Sequence, residues 1–355
     1  IAAMADKYRF VGRRMPRKDA LEIVTGRAEF IDDFTVPGML HGMALRSPFP
    51  HANIRKIDTS AAERLPGVKA ALTYKNVPGW MAGTPRHIPV LDRKVRYVGD
   101  AVALVAAETV DQAKAALDLI SVEYEELPAV YDPDEAIKPG APQLYEQFPL
   151  NQLPMEFRDF GSTPLTEIVM GDTEAGFASA DVICEESCAY EGVPNPLPPE
   201  PPGLIIRWEG ENKLTIWSAT QSVSLHRFIT QTMMGFPDIR SIATYCGGSY
   251  GSKNFYEVIC LHAAALAKAA DRPVKIYYTK SEHMAAFVLR PSSRLHCKVG
   301  LKKDGTVTAI AGNWIVGCGA HSTMVQGQIC VGCGEAQLAV RCDNWDLKTK
   351  CVVTN

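Results

Sequence analysis

The chain has 355 residues, 46% of them hydrophobic and 22% charged, with a formal net charge of −3. That balance excludes wholesale disorder, predicts about two domains, and offers no basic stripe with which to hold nucleic acid. The longest apolar run, Ala101 to Ala107, is far below the roughly 20 residues that a membrane-spanning helix needs.

No signal-type apolar segment follows Ile1, and ten scattered cysteines lack the density of a disulfide framework. The expected setting is cytoplasmic, with reduced thiols. In chain order, Val98–Ala107 reads as a buried strand. Thr109-Val-Asp-Gln112 then has the form of a capping box, in which hydroxyl and side-chain amide each bond the other residue's backbone N–H. The spacing of Ala113, Ala116, Leu117 and Ile120 predicts a helix, and Ser121–Glu126 a further strand. Strand–helix–strand points to mixed α/β packing over residues 10–130. Residues 131–164, rich in Pro and Gly, read as a connecting arm.

A different rhythm starts near Gly171. Leu204–Trp208 and Leu214–Trp217 predict a hairpin around Glu209-Gly-Glu-Asn212. Val223–Met234 predicts a helix stopped by Gly235 and Pro237, and Ile239–Tyr245 a strand. Phe255–Ala270 predicts a helix, Val274–Tyr278 a strand, and Leu295–Leu301 with Val307–Val316 a hairpin closed by Asp304-Gly305. Residues 165–355 therefore form a second, α+β unit.

Between strand and helix stands Gly247-Gly-Ser-Tyr-Gly-Ser-Lys253. Glycines let backbone amides approach an anion, and a helix start adds unpaired N–H groups. Lys253 follows Ser252 and precedes Asn254, so the phosphate loop of ATP-binding proteins is excluded. The dinucleotide spacing Gly-x-Gly-x-x-Gly is absent. On the residues alone the turn is either an anion cradle or a structural device. Cys330-Val-Gly-Cys333 has no second pair at ligand spacing and reads as free thiols. His226 and His262 lie on helical patterns, where packing or exposure is commoner than ligation. No metal-binding HExxH pair is present, which leaves a zinc hydrolase without support.

The glycine turn resembles the GG-x-F-G-x-K loop of the molybdenum hydroxylases, the xanthine oxidase family. Ser218-Ala-Thr-Gln221 is similar to the family's S-x-T-Q segment. Thr25-Gly-Arg-Ala28, Pro37-Gly-Met-Leu40, Leu45-Arg-Ser-Pro48, Ile57-Asp-Thr-Ser60, Pro66-Gly-Val68 and Val95-Arg-Tyr-Val-Gly99 match its hammerhead domain in order. The resemblance implies a hammerhead-like α/β domain over 10–130, then the first part of a molybdenum-cofactor-binding domain over 165–355. It implies that Gln221 bonds an oxo ligand of molybdenum, and that Gly247, Gly248, Tyr250 and Gly251 line the cofactor, with Tyr250 also walling the substrate pocket. No side chain here is implied to ligate the metal directly.

The implied cofactor is molybdenum-molybdopterin, its cytosine dinucleotide form included, with 2Fe-2S and FAD centres on iron–sulfur and flavin partner subunits. The implied reaction is oxidation of an aromatic heterocycle or aldehyde carbon with water-derived oxygen. Two other readings stay open: reduction of an aromatic thioester, and a non-catalytic assembly subunit. Three segments depart from the family pattern. Pro194-Asn-Pro-Leu-Pro-Pro-Glu-Pro201 replaces H-x-P-[ML]-E-P, and Asn254 stands where purine-oxidising members carry an acid. Cys318-Gly-Ala-His321 replaces D-x-G-A-Y. Gly332-Cys-Gly-Glu335 has the letters of the family's base-bearing G-x-G-E segment, but its neighbours place it in the first half. The general-base glutamate is therefore expected outside this chain, on a second molybdopterin-binding chain or a missing carboxy-terminal part.

Overall fold

The computed structural model describes residues 8–83, 85–154, 167–192, 196–236, 238–323 and 325–355. The end of the connecting arm and Pro194 lie outside these residues. The first third supplies strands β1 (Leu40–Arg46), β2 (Ala52–Asp58), β3 (Val68–Thr73), β4 (Ala101–Ala107) and β5 (Ser121–Glu126), with helix α1 (Val110–Asp118) between the last two. The remainder supplies β6 (Glu167–Met170), β7 (Val182–Tyr190), β8 (Gly203–Glu209), β9 (Lys213–Ser218) and β10 (Asp238–Ala243). It continues with β11 (Val274–Tyr277), β12 (Ser292–Leu301), β13 (Val307–Gly317) and β14 (Trp345–Val352). Its long helices are α2 (Val223–Met234), α3 (Glu257–Ala270) and α4 (Val325–Ala339).

A seven-stranded sheet in the order β10-β9-β8-β11-β1-β4-β3 joins both parts of the chain. The seam is the parallel pair β1–β11, in register from Leu40 opposite Val274 to Gly42 opposite Ile276. Gly42 is required there, because a Cβ would lie 2.8–2.9 Å from the side chains of Val274, Ile276 and Leu266. All seven residues of β4 are buried, as expected of a strand covered on both faces. Leu104 and Ala106 join the main core beside Ile259 and Leu266 of α3, while Val105 packs with Ala116 of α1.

Thr109 opens α1 with the expected capping box: its Oγ1 accepts from Gln112 N (3.2 Å), and Gln112 Oε1 accepts from Thr109 N (3.1 Å). The hairpin β8–β9 closes between Glu209 and Lys213, and α2 ends at Gly235 in the left-handed conformation (φ 69°). One expectation is corrected. The helix predicted from Phe255 begins at Glu257, because a 3₁₀ turn, Ser252–Asn254, intervenes and Phe255 is non-helical.

The second sheet runs β6-β14-β13-β12-β7, with the short strand Gln152–Leu153 beside β14. Asp304-Gly305 turns β12 into β13 with Gly305 at φ 89°. The G-x-G-E letters, Gly332 to Glu335, fall within α4. Cys333 there is buried and is not disulfide-bonded, and the Cys330 side chain lies outside the described residues. Among the described residues no helix is long and apolar enough to cross a membrane.

Candidate cofactor site

Strands β9 and β10 are parallel neighbours linked by α2, with Ser218 opposite Ala243 at their carboxyl ends. Parallel strands release their following loops at the same sheet edge, where α/β proteins place ligands. Residues 219–222 and 244–253 thus emerge side by side. Thr220 Oγ1 donates to Lys253 O (2.9 Å), and Gln221 N donates to the same carbonyl (3.4 Å). Ser249 Oγ accepts from Lys253 N (2.9 Å), and Ser252 Oγ donates to Ser249 O (2.7 Å), closing the turn on itself.

Gln221 Oε1 accepts from Gly251 N (3.1 Å) and from the Ser249 hydroxyl. A backbone N–H can only donate, so the carbonyl end of the amide must face the turn. The Nε2 end, with its two donors, is left on the exposed side of Gln221. Gly248 (φ 96°) and Gly251 (φ 93°) supply the left-handed backbone the turn requires. Tyr250 shares that region at φ 53°, a conformation that costs an L-residue roughly 1–2 kcal/mol. Arg290 Nη2 holds it by donating to Tyr250 O (2.6 Å). The Tyr250 residue is 61% exposed, so its ring is not core packing. Among the described residues no partner is found for the backbone N–H groups of Gly248, Ser249 and Tyr250.

Beneath the turn lies an ion pair that sequence reasoning missed. Lys253 Nζ donates to Glu200 Oε2 at 2.5 Å, with side-chain exposures of 0% and 7%. The same oxygen accepts from Gly247 N (2.7 Å), and Oε1 accepts from Ile31 N (3.4 Å). Gly247 admits this approach: a Cβ there would sit 2.6 Å from Glu200 Cβ. One carboxylate therefore ties the proline-rich stretch, the glycine turn and the chain before β1 together. A lysine directly after a glycine turn that lacks the ATP-loop pattern was the available signal that a partner acid exists.

The turn's anion donors are loop amides, and helix α3 starts too late to add its own. Instead its first residue, Glu257, is buried, neither carboxylate oxygen has a partner among the described residues, and desolvation pushes the carboxyl up to about 8. His226 and His262 are both buried and neutral, their pKa values lowered to about 4 and about 3 by desolvation. Cys318 is buried and donates its thiol to Val352 O (3.0 Å). Among the described residues no group of three or more His, Cys, Asp or Glu side chains could hold a metal ion.

A glycine turn pinned by a side-chain amide, at the carboxyl ends of parallel strands in a mixed α/β fold, stands where such folds hold anionic ligands. The molybdopterin cofactor-binding domain family matches residues 158–355, and the a/b hammerhead domain of aldehyde oxidase and xanthine dehydrogenase matches residues 25–128. The chain belongs to the molybdenum hydroxylase (xanthine oxidase) family and corresponds to the amino-terminal part of its molybdopterin-binding subunits. It is 35% identical to a probable xanthine dehydrogenase subunit of Bacillus subtilis, over 87% of this chain and 40% of that protein. It is 30% identical to the nicotinate dehydrogenase large molybdopterin subunit of Eubacterium barkeri, over 90% of this chain and 73% of that one. The aldehyde oxidoreductase structure from Desulfovibrio gigas superposes with a TM-score of 0.79 at 28% identity, over 97% of this chain and 38% of that chain. The chain thus spans well under half the length of two of these three relatives.

The donors on this loop fit such a cofactor. The Nε2 group of Gln221 and the N–H groups of Gly248, Ser249 and Tyr250 suit an oxo-bearing, anionic group.

Proposed function

We propose that this chain forms one wall of the active site of a molybdenum-dependent hydroxylase or dehydrogenase acting on an aromatic heterocycle or aldehyde carbon. The observation that carries the reading is the orientation of Gln221, whose carbonyl is engaged by Gly251 and Ser249 while its amino group is presented outward. Bound molybdenum-molybdopterin, in the simple or cytosine dinucleotide form, would supply a two-electron redox centre. Gln221 would donate to an oxo ligand without adding charge, which suits a centre whose own charge changes during turnover. The free amides at Gly248 and Tyr250 would hold the cofactor's edge, Gly247 and Gly251, whose N–H groups are taken by Glu200 and Gln221, would shape the turn around it, and the exposed Tyr250 ring would wall the substrate side.

The division into a hammerhead-like unit (10–130), an arm (131–164) and a first cofactor-binding part (165–355) belongs to this proposal. So do a general-base glutamate from outside these residues, iron–sulfur and flavin partners that remove electrons, and a cytoplasmic setting. The Eubacterium relative is a large molybdopterin subunit, which supports a catalytic unit assembled from more than one chain.

The test is elemental and pterin analysis of the purified assembly. Molybdenum and pterin are expected together, and an active preparation lacking both rejects the reading. Gln221→Ala is expected to slow turnover by about 10–100-fold, the usual cost of removing an outer partner of a metal site, with metal content unchanged. Unaltered kinetics would strip Gln221 of its role.

A further inference from the structure

Strand alternation gives the seam between β1 and β11 two different faces. Leu40, Val274 and Ile276 join the main core with α3, so their neighbours His41, Lys275 and Tyr277 turn to the opposite face. There they line a cleft of about 480 Å³, within the range of small-molecule sites. Helix α1 contributes Val110 and Lys114 to it, and the residues after β11 contribute Thr279 and Lys280. Met39, Met43 and Pro201 supply apolar wall.

The polar groups of this wall are donors almost throughout. Lys275 is 5% exposed, and its Nζ donates to the carbonyls of Asp32 and Phe34. Among the described residues Asp32 is the only acid on the wall. Its carboxylate lies 3.7 Å from Lys275 Nζ with the side chain 66% exposed, so it offsets that one buried ammonium. Lys280 spends one N–H on Pro198 O (2.7 Å), and the exposed Lys114 forms no ion pair among the described residues. Two ammonium charges are thus left without a carboxylate. Tyr277 keeps its phenol proton, pushed up to about 12 by burial and by Asp32, and burial raises Tyr278 as well. His41 stays neutral at pH 7, because burial and Lys275 lower it. Thr35 adds a hydroxyl, while that of Thr279 is engaged with Glu282 (3.2 Å).

Two uncompensated cations and several hydroxyl donors beside an apolar floor select a ligand with acceptors at one end and hydrocarbon at the other. A carboxylate carries one charge and answers one lysine. A phosphate monoester carries about two at pH 7, on three acceptor oxygens.

We propose that this cleft binds a phosphate monoester with a small apolar body, its phosphate between Lys114 and Lys280 and its body against Met39, Met43 and Val110. The ligand bridges α1 to the end of β11, and its binding does not depend on the cofactor reading above.

The probe is phenyl phosphate, titrated calorimetrically into the purified assembly, with inorganic phosphate and phenol as the two halves of the ligand. Wild type is expected to bind phenyl phosphate about tenfold or more tighter than either half. Lys114→Met should weaken it about fivefold and Lys114→Glu further, while Lys114→Arg, which keeps the charge, stays within about twofold. These variants should fold normally, since Lys114 is exposed and unpaired; matched thermal midpoints without ligand check this. Raising salt to about 0.5 M should weaken the binding of phenyl phosphate, because the two lysines are not shielded from ions. Absence of phenyl phosphate binding by wild type, or equal binding by wild type and Lys114→Glu, overturns the site. Inorganic phosphate binding as tightly as the ester rejects the apolar half of the proposal, and phenol binding as tightly rejects the anionic half.

Discussion

Lys253→Met is expected to cost about 3–5 kcal/mol of stability, because it strands the Glu200 carboxylate in a dry site with only two backbone N–H donors. Urea unfolding of the variant measures this. The loop should suffer first, since Lys253 also supplies the carbonyl that receives Thr220 and Gln221. The double variant Glu200→Gln/Lys253→Met removes both charges together and should recover a large part of the loss. Two neutral groups carry no charge-burial penalty. A Lys253→Met protein within about 1 kcal/mol of wild type would show that the pair does not anchor the turn. On the proposed function, molybdenum retention should fall in step with stability, because the ion pair holds Gly247 and with it the turn that would carry the cofactor.

Stability should peak near pH 6.5 and fall on both sides, for opposite reasons. Burial lowers His87, His226 and His283 from 6.5 to about 4 and His262 to about 3. Below pH 6.5 the unfolded chain takes up protons at these sites that the folded chain refuses, so stability drops as pH falls. Glu257 works the other way, its carboxyl raised from 4.5 to about 8. Between those values the folded chain holds a proton that the unfolded chain has released. Stability therefore declines as pH rises toward 8, at about 1.4 kcal/mol per pH unit for one such group. In the acid range the four histidines outweigh the single carboxyl, so the net slope there is positive. Glu257→Gln should flatten the alkaline limb and raise stability at pH 8, as read by denaturant midpoints across pH. Parallel alkaline limbs for variant and wild type would refute the buried-acid assignment.

Local chemistry was legible in the sequence. The Thr109 cap, the Asp304-Gly305 turn and the Gly235 stop depend on neighbours within a few residues, and each is where its spacing places it. The approach of Gln221 to the glycine turn was legible only through the family resemblance, since the parallel pairing of β9 with β10 has no local signature. The pairing of Glu200 with Lys253 was not legible: the two are 53 residues apart, and nothing local in the proline-rich stretch points to the partner. Glu257 was not singled out, because an acid in the first turn of a helix is ordinarily a solvated end that complements the dipole. The late start of α3 was missed because the apolar Phe255 fits the helical spacing, although its backbone (φ −110°, ψ 82°) is non-helical.

The pairing of His41 with Lys275 has a consequence for biosynthesis. At ribosomal speeds of 5–20 residues per second, β1 waits roughly 10–50 s between its own emergence and that of the strand that covers it. During that interval a sticky edge hangs free in the crowded cell, and holding chaperones are its natural companions. Nascent polypeptides stalled ahead of Val274 should accumulate on such chaperones, and those stalled beyond Tyr277 with enough length to clear the exit tunnel should let go.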